Sequence, residues 1–389
     1  MVRIALVRGP FLRPNGAYPW EYLHTHYDGF EVTAFSSIPE RFDTSSLQMP
    51  VVNLHWPDGK LTVLGYRHFL SRALRGVHLP PNVLWGLGRA LRDFDVIHTT
   101  ENSNFFSLQA ALSARGKRFC LAVDENIPYP RWQHSPLMWW VKSYLNRRAY
   151  LITVTTDLGR RALIHEGVDD HKIFTLPSGA VDVDSFTPGP KSPESIGLPG
   201  GLKETFNLLF VGKIQEAKGI PWLFEAFESL YAEHSDMRLI LVGTDALGSQ
   251  YQDLRRSIKQ HPGIILPGPI PYDSMPRVVN LCDLLILPSI PVLNWEEQFG
   301  MCLVEAMSCG KPTIASNVGG IPYAVEDGET SILVPYKSSE AIRDAVLRLY
   351  LNPELAQEMG QKGRRLALHR YSKAATGERL YEIYRHLDL

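Results

Sequence analysis

Short apolar runs rich in Val, Ile and Leu recur along the chain, with amphipathic stretches of helical length between them. In the first half they are VRIALVR (2–8), DVIHTT (95–100), RFCLAVD (118–124) and YLITVTT (150–156). In the second they are FNLLFVG (206–212), RLILVG (238–243), GIILPG (263–268), DLLILPS (283–289) and PTIAS (312–316). A strand covered on both faces has no polar alternation, and parallel pairing of such strands requires a crossover helix. The intervening segments fit that role. In IPWLFEAFESLYAEH (220–234), Leu223, Phe224, Phe227, Leu230 and Tyr231 form one apolar stripe at helical spacing. The alternation predicts an α/β chain built on doubly wound parallel sheets, whose ligands bind beyond the carboxyl ends of the strands.

A chain of 389 residues suits two domains of roughly 100–200 residues each. Residues 187–203, TPGPKSPESIGLPGGLK, are rich in Pro, Gly and Ser and read as a connector. The expected division is a first domain at 1–186, a linker at 187–205 and a second domain at 206–368. A last stretch, 369–389, contains the amphipathic YSKAATGERLYEIYRHLDL.

Lys+Arg total 40 and Asp+Glu 41, a balance that argues against nucleic-acid binding through bulk charge. The distribution is uneven: residues 1–185 hold 20 Lys+Arg against 17 Asp+Glu, and 186–389 hold 20 against 24. Two stretches lack acidic residues, Lys60 to Arg92 and Asn126 to Thr156. The first carries Arg67, Arg72, Arg75, Arg89 and Arg92. The second contains SPLMWWVKSYLNRR (135–148), where Ser135 caps a helix opened by Pro136. Its Trp139, Trp140, Lys142, Arg147 and Arg148 fit an interfacial membrane helix, and equally a helix whose tryptophans pack in a core. The acid-free arginines favour peripheral contact with an anionic membrane. Cys120, Cys282, Cys302 and Cys309 form neither a CxxC pair nor a zinc-ligand spacing, which suggests a reducing, cytoplasmic compartment. MVRIALVRG is too short for a signal sequence, and no apolar run of 18 residues exists.

The segment EEQFGMCLVEAMSCGKPTIAS (296–316) lies between two strand-like runs. A helix with Phe299-Gly300-Met301 as its first turn offers free N–H groups and a positive dipole end to an anion, and Gly300 lets that anion approach. Glu305 follows five residues on, about 7.5 Å along the axis. A diphosphate at the helix start leaves an attached ribose one turn away, where a carboxylate accepts both hydroxyls. Glu297 then faces the other side of the diphosphate. The bland alternative is a dipole-stabilised Glu297 and a solvated Glu305. Against it, Leu303, Val304, Ala306 and Met307 surround Glu305 with apolar neighbours. In FVGKIQEAKG (210–219) a strand ends at Gly212, and Lys213 and Lys218 follow, two cations suited to a departing diphosphate. Alone they are weak evidence, since loop lysines are usually solvated.

Together these segments resemble family-4 retaining glycosyltransferases, glycosyl transferases group 1. EQFGMCLVEAM resembles the family's E-x7-E motif, and FVGKIQEAKG its "VGR…KG" loop, with Lys213 where arginine is usual. TLPSGAVDVDSFTP (175–188) resembles "P-N-G-V-D-x-x-x-F-x-P", with Ser178 for Asn and an added Ala180. CGKPTIASNVGGIPYAVEDGETSILVP (309–335) resembles the segment after the second glutamate. In GPFLRPNGAYPW (9–20), Gly16 is the better match to a glycine loop, and Asp124 stands where the family often has histidine.

The resemblance implies a GT-B fold: two Rossmann-like domains facing across a cleft, with the last helix returning to the first. It implies a catalytic set of Glu297, Lys213, Lys218 and Asp124. Donor binding falls to Gly16, Gly212, Lys213, Lys218, Glu297, Phe299, Gly300, Met301 and Glu305. The expected partners are a nucleoside-diphosphate sugar and a glycan or lipid-linked acceptor, with no nucleic acid, no cofactor and no metal. Asp182 and Asp184 form a DxD, but inside the inter-domain segment. Rival readings are an epimerase or phosphorylase of the same fold, or a non-catalytic sugar-nucleotide-binding subunit.

Overall fold

A computed structural model describes residues 1–40, 42–55, 83–128, 135–177 and 179–386. Ser178 and Arg67, Arg72 and Arg75 of the acid-free stretch lie outside the described residues. The chain divides into two units, Met1–Ala180 with Lys373–Leu389, and Val181–Ser372.

The first unit holds a seven-stranded sheet in the order β3-β2-β1-β4-β5-β6-β7, with every adjacent pair parallel. Its strands are β1 Val2–Gly9, β2 Phe30–Ile38, β3 Val51–His55, β4 Val96–Thr100, β5 Arg118–Val123, β6 Leu151–Val154 and β7 Ile173–Thr175. Ile4, Ala5, Leu6 and Val7 are fully buried, as a strand covered on both faces requires. The sequence reading had found β1, β4, β5 and β6. It passed over β2, whose second half is FSSI, and the edge strands β3 and β7, of five and three residues.

The last helix, Lys373–Arg385, belongs to this unit and lies on the helix Pro14–His26. A Cβ on Gly377 would come within 2.3 Å of the Tyr22 ring, so glycine permits the close approach. Trp20 Nε1 donates to the Tyr384 hydroxyl at 3.0 Å, and that hydroxyl lies 2.7 Å from His98 Nδ1. Burial, helped by the charge of Arg8, lowers the His98 pKa to about 3, so the imidazole stays neutral. Tyr384→Phe removes the shared partner of two buried groups. It should lower unfolding free energy by about 1–3 kcal/mol in a urea titration, and an unchanged midpoint would dismiss this bond as a tether.

The helix Pro136–Arg148 forms as read, with Ser135 Oγ accepting from Met138 N at 3.2 Å. Trp139 and Trp140 are about half exposed, so they do not pack in a core. Lys142 departs from the interfacial reading: it is buried and pairs with Glu166 at 2.5 Å. Among the described residues no helix is long and apolar enough to cross a membrane.

The second unit holds a six-stranded parallel sheet in the order β10-β9-β8-β11-β12-β13. Its strands are β8 Phe206–Val211, β9 Met237–Val242, β10 Ile264–Gly268, β11 Leu284–Leu287, β12 Thr313–Ser316 and β13 Ser331–Val334. The stretch 187–205, read as a linker, is fastened to this unit. Gly189 N donates to Asn280 Oδ1 at 2.9 Å, Lys191 pairs with Asp283 at 2.7 Å, and Leu202 is buried. Residues 369–372 stay here too, because Val181 N donates to Tyr371 O at 2.7 Å where the two connecting strands of chain lie side by side.

Each sheet reverses its winding once, between β1 and β4 in the first unit and between β8 and β11 in the second. A crevice opens at the carboxyl ends of such a pair, and ligands of doubly wound sheets sit there.

Candidate active site

At the second unit's reversal, β8 runs into Gly212 and Lys213, and β11 into Pro288 and Ser289. Two glycines, Gly243 after β9 and Gly219 in the loop after β8, let neighbouring loops close on one another. A Cβ on Gly243 would lie 1.8 Å from Gly212 O, and one on Gly219, at φ 75°, would lie 1.8 Å from Pro288 O. The second contact brings the lysine–glycine loop against the segment after β11. Lys218 Nζ then reaches Glu297 Oε2 at 2.5 Å, and Ser289 Oγ donates to the same oxygen at 2.7 Å. The ammonium also stands 4.7 Å from the centre of the Trp295 ring. Side chains of Lys218 and Glu297 are only 17% and 11% exposed, so their attraction is weakly screened.

The loop bearing Glu297 is held from behind by SNVGGIPY (316–323). Gly320 N donates to Glu297 O at 2.7 Å, and a Cβ there would meet Gln298 O at 1.8 Å. The paired glycines are thus the backbone mould of the carboxylate.

The helix within EEQFGMCLVEAMSCGKPTIAS (296–316) spans Met301–Ser308. This corrects the first-turn reading: Phe299 lies outside the helix and Gly300 is its N-cap, at φ 87°. That left-handed backbone gives Gly300 a reason independent of any anion. Phe299 is buried, with its ring edge-on to Tyr371 at 5.4 Å, and so supports the loop. Met301 is half-buried at the first helical position. Glu305 is buried, and its Oε1 accepts from the Tyr272 hydroxyl at 2.9 Å. Burial pushes its carboxyl up to about 7, against the pull of that hydrogen bond. The solvated alternative for Glu305 is excluded. Lys213 is exposed and forms no ion pair among the described residues, so the structure gathers Lys218 and Glu297 but leaves Lys213 apart.

In the first unit Asp124 follows β5 directly. Its Oδ1 accepts from Thr155 Oγ1 at 2.6 Å, and its backbone N donates to Glu101 Oε1 at 3.3 Å. Glu101 itself follows β4 at φ 62°, a left-handed conformation uncommon for a non-glycine residue. Burial, with the charges of Asp124 and Glu125, pushes the Glu101 carboxyl up. Burial also raises that of Asp124, against the Thr155 hydroxyl and Arg8. Arg8, buried at the end of β1, donates to Thr100 Oγ1 at 2.9 Å and rests 5.0 Å from the Trp20 ring centre. Gly16 is half-buried in the first turn of Pro14–His26, where Asn15 O accepts from Ala180 N at 2.9 Å.

Sequence reasoning missed Ser289, Trp295, Tyr272, Glu101 and Arg8. Arg8 and Glu101 stood at strand ends, but strand order alone shows that those ends adjoin the reversal. Asp182 accepts from Asp184 N and Ser185 Oγ, closing a turn. Among the described residues, no group of three or more His, Cys, Asp or Glu side chains could hold a metal.

Two parallel-sheet units with a lysine–glutamate pair at one reversal define an α/β protein of GT-B type. Solved structures agree on the fold. Anabaena Alr3699/HepE in complex with UDP-glucose superposes with a TM-score of 0.74 at 17% identity, over 99% of this chain and all of that one. Sucrose-phosphate synthase from Thermosynechococcus elongatus gives 0.71 at 21%, over 100% and 99%. The description "Glycosyl transferases group 1" matches residues 200–366 and "Glycosyl transferase 4-like domain" matches 24–179. The chain belongs to this glycosyltransferase family. It is 31% identical over 253 residues to D-inositol 3-phosphate glycosyltransferase of Corynebacterium jeikeium, covering 61% of this chain and 58% of that protein. It is 26% identical over 264 residues to alpha-D-kanosaminyltransferase of Streptomyces kanamyceticus, covering 65% of each. The chain thus matches less than two thirds of the length of either relative.

Proposed function

We propose that this chain is a nucleotide-sugar-dependent, retaining glycosyltransferase. The second unit holds a nucleoside-diphosphate sugar at the carboxyl ends of β8 and β11. The first binds a glycan or lipid-linked acceptor, in glycan, glycolipid or cell-surface polysaccharide synthesis. The observation that carries this reading is the Lys218–Glu297 pair, positioned by Gly219 and Gly320 just ahead of the helix Met301–Ser308. An ammonium and free helix N–H groups suit a diphosphate, and a carboxylate beside them suits sugar hydroxyls. The named activities of the two relatives, and the UDP-glucose of the Anabaena structure, support the class of donor.

In the proposed step the acceptor oxygen attacks the anomeric carbon on the face the diphosphate leaves. The anomeric C–O bond breaks with its electron pair on the diphosphate. The hydroxyl proton passes to that departing oxygen, and the new glycosidic bond keeps the configuration. Lys218, Lys213 and the N–H groups at Met301 stabilise the charge that develops.

The test is release of nucleoside diphosphate over a panel of UDP-, GDP- and ADP-sugars, preselected by thermal shift. A ligand at 100 times its Kd adds about 2.7 kcal/mol of stability. Release that depends on an acceptor and yields a glycoside supports transfer. Isomerised donor without release supports an epimerase, and binding without turnover a non-catalytic subunit. Turnover should persist in excess EDTA, since lysines and a helix start supply the positive charge. Loss in EDTA restored by Mg²⁺ or Mn²⁺ would overturn the metal-free reading.

A further inference from the structure

Five Lys and Arg side chains line one cavity of about 580 Å³ in the first unit: Lys117, Arg118, Arg147, Arg148 and Lys172. His171 and His386 complete its basic lining. Among the described residues no carboxylate lines it. The residues come from the amino ends of three adjacent strands. Lys117 and Arg118 open β5, Arg147 and Arg148 end the helix before β6, and Lys172 precedes β7.

Local structure accounts for part of this charge. Lys117 Nζ donates to the carbonyls of Leu91, Arg92 and Phe94, and Arg148 donates to Ala114 O at 2.5 Å. Those contacts fasten two cations and neutralise neither. Arg147 and Arg148 also gain from the helix dipole, an effect of a few tenths to 1 kcal/mol that does not extend to Lys117, Arg118 or Lys172. Arg118 lies 4.7 Å over the Tyr150 ring. Arg147 and Lys172 form no ion pair among the described residues. Like charges gathered in the lining of one cavity repel, and a bound anion relieves that repulsion. Guanidinium forks beside ammonium groups match phosphate oxygens.

The cavity is remote from Asp124. Asp124 lies six residues beyond Arg118 along β5, roughly 20 Å at 3.3 Å per residue. A second cavity, of about 240 Å³, shares Arg147 and Lys172 and is lined by Trp139 and by two carboxylates, Glu166 and Asp169. An exposed aromatic therefore borders the basic site.

We propose that this cavity binds a phosphoryl anion, carried by a lipid headgroup or by a soluble phosphate, at the edge of the first sheet opposite its acceptor side. The inference does not rest on the donor site. To keep the two apart, the test uses the full chain carrying Lys213→Gln and Lys218→Gln, which weakens diphosphate binding at the second unit. Inorganic pyrophosphate is titrated calorimetrically, and flotation is compared on phosphatidylglycerol and phosphatidylcholine vesicles. Adding Arg147→Gln with Lys172→Gln should weaken pyrophosphate binding at least tenfold without lowering Tm, because neither side chain holds the fold. Flotation on phosphatidylglycerol alone, lost in the same variant, identifies a lipid source. Pyrophosphate binding without flotation identifies a soluble one. Absence of both, or binding indifferent to Arg147 and Lys172, overturns the proposal.

Discussion

Glu297→Gln should lower kcat about 10²- to 10³-fold at saturating donor, while donor KM rises less than tenfold. Glu297 and Lys218 satisfy each other at 2.5 Å. Under the proposed function, a nucleoside-diphosphate sugar entering this crevice would exchange that contact for two new ones, Lys218 turning to the diphosphate and Glu297 to the sugar. Both partners gain charge as the anomeric bond breaks, negative on the leaving oxygen and positive at the sugar. Interactions that strengthen only then act on kcat. Glutamine keeps the shape, and its Oε1 still accepts from Lys218 and Ser289, so stability should fall by no more than about 1–3 kcal/mol. Assays well below Tm then separate catalysis from folding. Lys218→Ala should show the same split, while the exposed Lys213→Ala should cost less than Lys218→Ala. Wild-type kcat in Glu297→Gln would remove this residue from the sugar site and leave the family assignment standing.

The parts of the fold visible in the sequence are those where one residue type has one use. Continuous apolar runs such as IALV at 4–7 and LLIL at 284–287 had to be doubly covered strands, and they are. Edge strands escaped because their residues are half exposed and their length is minimal: IFT at 173–175 resembles any loop. The linker reading of 187–205 failed because Pro and Gly mark irregular backbone, not freedom. That segment carries no long apolar run, yet its Lys191 and Leu202 attach to the second unit. In the candidate site, spacing singles out Glu297 and Glu305, and the resemblance adds Lys218. Ser289 and Tyr272 were not legible, since their contacts span 8 and 33 residues and depend on which strands adjoin. Gly300 was found for a partly different reason than the one the structure gives, because a glycine needed for φ 87° and one needed for anion approach look alike in sequence.

Glu305→Gln should make the protein more stable at pH 8 and at the same time weaken donor binding ten- to hundredfold. The buried carboxyl titrates near 7 in the folded chain and near 4.3 when unfolded. Below about pH 4.3 both states hold the proton, and its contribution to stability is fully present. As pH rises the unfolded chain releases the proton first, so stability falls until the folded carboxyl also ionises near 7. Above that the wild type bears a buried charge that glutamine never carries. At 1.36 kcal/mol per pH unit the variant gains up to about 3.5 kcal/mol at pH 8 and about half a kcal/mol at pH 4.5. Tyr272 can still donate to the amide oxygen. Two ribose hydroxyls, by contrast, need a carboxylate that accepts from both. Losing a charge-assisted bond worth roughly 1.5–3 kcal/mol raises donor KM and leaves kcat nearly unchanged, because the ribose contact is the same before and during reaction. Wild-type affinity for the donor should also fall by up to tenfold per pH unit below about 7, while the variant's stays flat. Parallel thermal melts and donor titrations at pH 5, 6.5 and 8 read both effects. A Glu305 with no part in donor binding gives the same gain in stability at pH 8 but normal, pH-independent donor affinity, and that result would take the residue out of the nucleotide site.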